Sequence, residues 1–172
     1  MASVDQVIAS IPKQVVVHPI VLLSIVDHYN RLAKGSKKDK WVVGTLLGEY
    51  EKGILNITNC FAVPFEEDDD IWYVDHIYHE EMYMMFRKIN SKEKIVGWYS
   101  SGPTIRKSDI EINEKFWNYN TNPVFVVAKV QEADQLSIPT ESYSSIQEVN
   151  EDGELVRNFI HIPSSIEATE AE

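Results

Sequence analysis

Apolar positions alternate in some stretches of this chain and recur every three or four residues in others, and the two periods separate strands from helices. Gln14 to His18 favours a strand. His18-Pro19 then opens a helix over Pro19 to Leu32, because proline suits a first turn that does not use its missing N–H. Val21, Leu22, Leu23, Ile25, Val26, Tyr29 and Leu32 make that helix apolar over more than one face. Such a helix is either covered on several sides or presents one side to a partner. Trp41 to Leu47 and Ile54 to Val63 read as strands joined across Gly48-Glu49-Tyr50-Glu51-Lys52-Gly53. Leu55 and Ile57 alternate with Asn56 and Thr58, so the second strand has one buried and one wetter face.

Asp75 to Ile89 is a second helix, with Val74, Tyr78, Met82, Met85 and Ile89 in one stripe and Ile77 and Met84 off it. Its methionines suit a core or an adaptable partner surface equally. Lys94 to Ser100 is a central strand, and Asp109 to Tyr119 a third helix with Ile110, Ile112, Phe116 and Trp117 as its apolar positions. Pro123 to Lys129 is near-continuously apolar, as in a strand buried on both faces. Ser142 to Val149 and Leu155 to Ile162 form a hairpin over Asn150-Glu151-Asp152-Gly153. The predicted class is α/β, a central mixed sheet flanked by helices.

With 172 residues, 44% of them hydrophobic, the chain supports one core and one domain, placed at 14–163. Residues 1–13 read as a loosely held arm, and 164–172 as the charged start of a helical region. The 27 acidic against 16 basic residues leave a net charge of -11, which repels phosphate backbones and argues against nucleic acid. No stretch approaches the ~20 apolar residues of a membrane span, and the start has no secretory pattern, so a soluble intracellular protein is expected. Cys60, the single cysteine, falls in a strand and reads as a buried inert thiol. Lys34 to Lys40 and the acidic run Glu66-Glu67-Asp68-Asp69-Asp70 read as solvated loops, and the acidic run lacks the central glycine of a calcium loop.

Candidate chemistry concentrates where the central strand stops at Ser100-Ser101-Gly102-Pro103 and a helix begins near Ser108 or Asp109. Ser100 and Ser101 do not fit the Gly-x-Ser-x-Gly nucleophile pattern and read as turn formers. His76 and His79 are three apart, outside the His-Glu-x-x-His zinc pattern, and read as surface or capping residues.

Gly97-Trp98-Tyr99-Ser100-Ser101-Gly102-Pro103 resembles the metal-binding segment of the MPN (JAMM) family, Gly-Trp-Tyr-His-Ser-His-Pro in its active members. The resemblance implies a cytidine deaminase-like α/β fold, with zinc held by two histidines and a downstream Asp, and an upstream Glu taking a proton from bound water. Laid on this chain, the histidine positions are Ser100 and Gly102, and the Glu position, matched through Val42-Val43-Gly44-Thr45-Leu46-Leu47-Gly48, is Trp41. The Asp falls at Asp109 or Glu111, about two residues short of the active spacing. A catalytic zinc takes three protein ligands and an open position, so this set implies a degenerate site, no metal and no cofactor.

Val15 to Ser24, Asp27 to Arg31, Phe61 to Asp68 and Ile138 to Tyr143 are similar to the non-catalytic MPN branch of the proteasome regulatory-particle lid. That branch usually keeps one histidine after Gly-Trp-Tyr, where this chain has Ser100. The resemblance implies a cytoplasmic and nuclear scaffold that pairs with the lid's zinc-dependent deubiquitinase and meets other lid subunits through C-terminal helices beyond these residues. The position of Met82 would insert into the deubiquitinase, beside Tyr78, Met85 and Phe86, whereas the apolar pattern alone points to Ile77 and Met84 as the outward residues. Leu22, Leu23 and Val26 would form a second contact, and a homodimer is possible for the chain alone. The alternatives are a metal-free MPN subunit of the signalosome or of translation initiation factor three, or a zinc isopeptidase using Asp109, Glu111 and a histidine from elsewhere.

Overall fold

A computed structural model describes residues 11–32, 42–68, 71–101, 105, 107–116, 122–130 and 140–167. Strands β1 (Gln14–Val17), β2 (Val43–Glu51), β3 (Ile54–Val63), β6 (Lys94–Ser100), β7 (Val124–Ala128), β8 (Thr140–Val149), β9 (Leu155–Ile162) and β10 (Ser164–Ile166) form one mixed sheet. Their order across it is β10-β1-β3-β2-β6-β7-β8-β9. β4 (Phe65–Asp68) and β5 (Ile71–Val74) form a separate antiparallel ribbon. The helices are α1 (Pro19–Leu32), α2 (His76–Ile89) and α3 (Lys107–Phe116).

Strand alternation gives the sheet two cores. On one face Val21, Leu22 and Ile25 of α1 pack on Val15, Leu46, Leu55, Ile57 and Tyr99. On the other, Ile112 and Phe116 of α3 join Val43, Leu47, Phe61, Trp98 and Phe125, with Met82, Tyr83 and Phe86 of α2 lying partly buried against them. β7, buried along its whole length, shows why its sequence does not alternate: helices or sheet neighbours cover both faces. At Gly97 an added Cβ would lie 1.9 Å from the Val124 carbonyl oxygen, so β6 and β7 meet closely only because this residue has no side chain.

Four expectations need correction. The β2–β3 connection is not the six-residue loop from Gly48 but a tight turn at Lys52 and Gly53, whose φ values of 52° and 82° match the twist of the flanking strands. Ile11 packs against the core and the Lys13 N–H donates to the Gly53 carbonyl at 2.8 Å, so the end of the expected arm is fastened; residues 1–10 lie outside the described residues. Three of the five consecutive acids, Glu66, Glu67 and Asp68, belong to strand β4 rather than a loop, paired with Tyr73, Trp72 and Ile71. Finally, Ser164–Ile166 is a strand parallel to β1, not the start of a helix. The outer edge of β1 supplies backbone partners there, with Val15 N–H to Pro163 O at 2.9 Å and Glu167 N–H to Val17 O at 3.2 Å, and these outweigh local helix propensity. The basic stretch 34–40 lies outside the described residues.

Candidate functional site

β6 delivers Ser100 to the sheet face that carries Trp98, in a row with Val43 on one side and Val127 on the other. Ser100, Ser101 and Asp109 are all fully buried. Glu111, two residues beyond Asp109 on α3, is exposed. Two residues turn a helix by about 200°, so of the two candidate acids only Asp109 looks into the protein. Trp41 and Gly102 lie outside the described residues.

Ser101 is tied to the start of β2. Its Oγ accepts the Val42 N–H at 2.9 Å and its own N–H donates to the Val42 carbonyl at 3.1 Å. A buried hydroxyl occupied in this way is not arranged as a nucleophile. The donor set does not fit a catalytic zinc: Ser100 brings a neutral hydroxyl, Gly102 no side chain, and Trp41 an indole that only donates. Asp109 is the single ordinary ligand left at the matched positions, and among the described residues no group of three His, Cys, Asp or Glu is placed to hold a metal ion.

Rings and amides lock α3 to the sheet. Trp98 stacks between Phe125 at 4.0 Å and Phe116 at 5.9 Å, centroid to centroid. Its Nε1–H donates to Asn113 Oδ1 at 2.9 Å, and Asn113 Nδ2 donates to Ser145 Oγ at 3.0 Å. This network escaped the sequence reading, because nothing local marks Asn113 as facing inward except its place one residue after buried Ile112.

His79 is also misplaced by that reading. It is buried rather than superficial, 5.4 Å from the Phe61 ring and edge-on to Phe116 at 5.5 Å, and burial lowers its pKa to about 4. The signal was present, since Met82, Tyr83 and Phe86 follow His79 at three, four and seven residues. These four residues form the inner face of α2. Phe86 stacks on Phe61 at 5.4 Å, so it serves this chain's own core, and Met82 is partly buried beside it.

The remaining apolar residues of α2 face out. Ile77 and Met84 are each 63% exposed, Met85 54% and Ile89 81%, with Tyr78 at their border. Ile77 and Met84 thus lie outward on this chain, but so do Met85 and Ile89 of the stripe. The stripe Tyr78, Met82, Met85 and Ile89 is not a core face, since only Met82 packs against the core while Met85 and Ile89 are exposed. On α1, Leu22 is a core residue and cannot be a surface contact, because its side chain fills the space over the sheet beside Val21 and Ile25. Leu23 is 67% exposed and Val26 intermediate.

Comparison with known proteins agrees with this geometry. A family profile described as JAB1/Mov34/MPN/PAD-1 ubiquitin protease matches residues 10–122. The 26S proteasome non-ATPase regulatory subunit 7 of Dictyostelium discoideum is 51% identical over 168 residues, covering 95% of this chain and 51% of that protein. The 26S proteasome regulatory subunit RPN8 of Saccharomyces cerevisiae is 44% identical over 165 residues, 93% of this chain and 48% of that protein. In Drosophila willistoni, one subunit of eukaryotic translation initiation factor 3 is 40% identical over 110 residues, 64% of this chain and 38% of that protein. The chain thus spans about half the length of the proteasomal relatives it matches. The matched segment takes in β1 through α3, and by it the chain belongs to the JAB1/Mov34/MPN/PAD-1 family.

Proposed function

We propose that this chain is the MPN domain of a catalytically inactive scaffold subunit of the 26S proteasome lid, acting in ubiquitin-dependent protein degradation in the cytoplasm and nucleus. Its partner is the lid's zinc-dependent MPN deubiquitinase, which it positions. The observation that carries the reading is the exposed apolar strip on α2, Ile77, Met84, Met85 and Ile89, in a chain whose residues at the matched metal positions do not suit zinc. Apolar area of this kind binds by burial, with a few anchors contributing most of the free energy. Tyr78, Met82, Met85 and Ile89 are spaced four, three and four apart, the repeat with which one helix seats on another. Met82 lies at the base of that seam and Met84 beside it. Leu23 and Val26 of α1 form the second contact, and the residues that follow in the longer relatives meet other lid subunits.

Met85→Asp tests the docking surface. A charge at this half-exposed position is tolerated by the free domain and costly in an apolar interface, so co-purification with the deubiquitinase should be lost while thermal unfolding is unchanged. Undiminished co-purification refutes the assignment. Metal analysis together with a ubiquitin-chain cleavage assay tests the inactivity: stoichiometric zinc with cleavage overturns it. Mass spectrometry of what co-purifies with the full-length protein separates the proteasome from the initiation-factor and signalosome alternatives.

A further inference from the structure

We propose that α2 pairs with α2 of a second copy of this chain, antiparallel and crossing at Met84. Met84 is 63% exposed, and so is Ile77, seven residues before it on the same line of the helix. Glu80 and Glu81 lie four and three residues before Met84, Arg87 and Lys88 three and four after it, and all four are exposed. Charge therefore changes sign about one apolar residue.

Within a single chain this arrangement has no use. Glu80 and Arg87 are seven residues apart, as are Glu81 and Lys88, a rise of about 10 Å, whereas charge partners on one helix need a spacing of three or four. Among the described residues none of the four makes an ion pair, and the Arg87 guanidinium carbon rests 5.8 Å from the centre of the Tyr83 ring. The helix dipole accounts for Arg87 and Lys88 in the last turn but not for the two acids, which lie beyond the first turn.

A two-fold axis at Met84 uses all of these charges. Seven residues make almost two whole turns, so Glu80 and Arg87 share one flank of Met84 and Glu81 and Lys88 the other. Turning a second helix end for end sets its Arg87 opposite Glu80 and its Lys88 opposite Glu81, and the reverse, with the two methionines meeting between them. A parallel helix would set acid on acid and base on base. At a net charge of -11 two copies repel at large, so a face that carries both signs is where they can meet. On the deubiquitinase reading, on which this last step rests, the same strip serves both partners, and a copy of this chain covers it until the deubiquitinase takes its place.

Cross-linking of the purified protein with a short bismaleimide tests the pairing, with the unsubstituted protein, whose Cys60 is buried, as the blank. Met84→Cys should cross-link to a dimer. Ile77→Cys should not, because antiparallel helices carry the two copies of position 77 about 21 Å apart along the axis. Added to Met84→Cys, the pair Glu80→Lys and Glu81→Lys should cut the yield about tenfold, the pair Arg87→Glu and Lys88→Glu should do the same, and mixing the two proteins should restore it. No dimer from Met84→Cys, equal cross-linking from Ile77→Cys, charge reversal without effect, or a mixture that stays monomeric overturns the proposal. Cross-linking as expected, alongside undiminished co-purification of Met85→Asp with the deubiquitinase, instead overturns only the deubiquitinase reading, so the two failures are distinct.

Discussion

Two buried histidines make this domain sensitive to mild acid, by an amount that follows from their surroundings. His28 lies on α1 with Nδ1 2.8 Å from the Tyr99 hydroxyl, and burial, aided by Arg31 and opposed by Asp27, lowers its pKa from 6.5 to about 4. His79, among Phe61 and Phe116, is lowered from 6.5 to about 4 as well, mainly by burial. Above pH 6.5 both are neutral in the folded and the unfolded chain, and their contribution is fully present. Between 6.5 and about 4 the unfolded chain takes up protons that the folded chain refuses, so stability falls as pH falls. Below about 4 the folded form accepts them too and the loss levels off. Each histidine is worth on the order of 3 kcal/mol across that window, at 1.36 kcal/mol per pKa unit. Together they approach the whole stability of an ordinary domain, roughly 5 to 15 kcal/mol. Near pH 5.5 the pair should change the unfolding free energy by about 2 kcal/mol per pH unit. Urea unfolding followed by tryptophan fluorescence at pH 7.5, 6.5, 5.5 and 4.5 measures this. His79→Phe keeps an aromatic ring in the aromatic pocket and should roughly halve the slope. A flat wild-type midpoint down to pH 5, or a His79→Phe slope equal to the wild type's, would refute the reasoning.

Other expectations concern the backbone and the thiol. Gly97→Ala sets a methyl 1.9 Å from the Val124 carbonyl oxygen, and because both partners are backbone the central strands must separate; a loss of about 3 kcal/mol or more, or failure to express in soluble form, is expected. Lys52→Asn places at φ 52° a residue that tolerates the left-handed region, and should raise stability in urea by a few tenths of a kcal/mol, about 0.5 at most. Cys60, buried and with its pKa raised to about 12 by burial, should resist a thiol reagent at pH 8 in the folded protein and react at once in denaturant.

The sequence by itself determined several of the central elements and the poverty of zinc donors at the matched positions. Period and propensity are local properties, so α1 over Pro19–Leu32, β3 over Ile54–Val63 and β6 over Lys94–Ser100 were readable to the residue. The donor chemistry is equally local, since a glycine or an indole cannot supply a zinc ligand wherever it is placed. What tertiary structure alone decided was which side of each element found cover. α2 has enough apolar residues to suit two faces, and only its position over Phe61 and Phe116 selects His79 and Phe86 as inner and leaves Ile77 and Met84 outer. The same holds for Ser164–Ile166, a strand only because the edge of β1 offers it partners far away in sequence, which no local pattern can register.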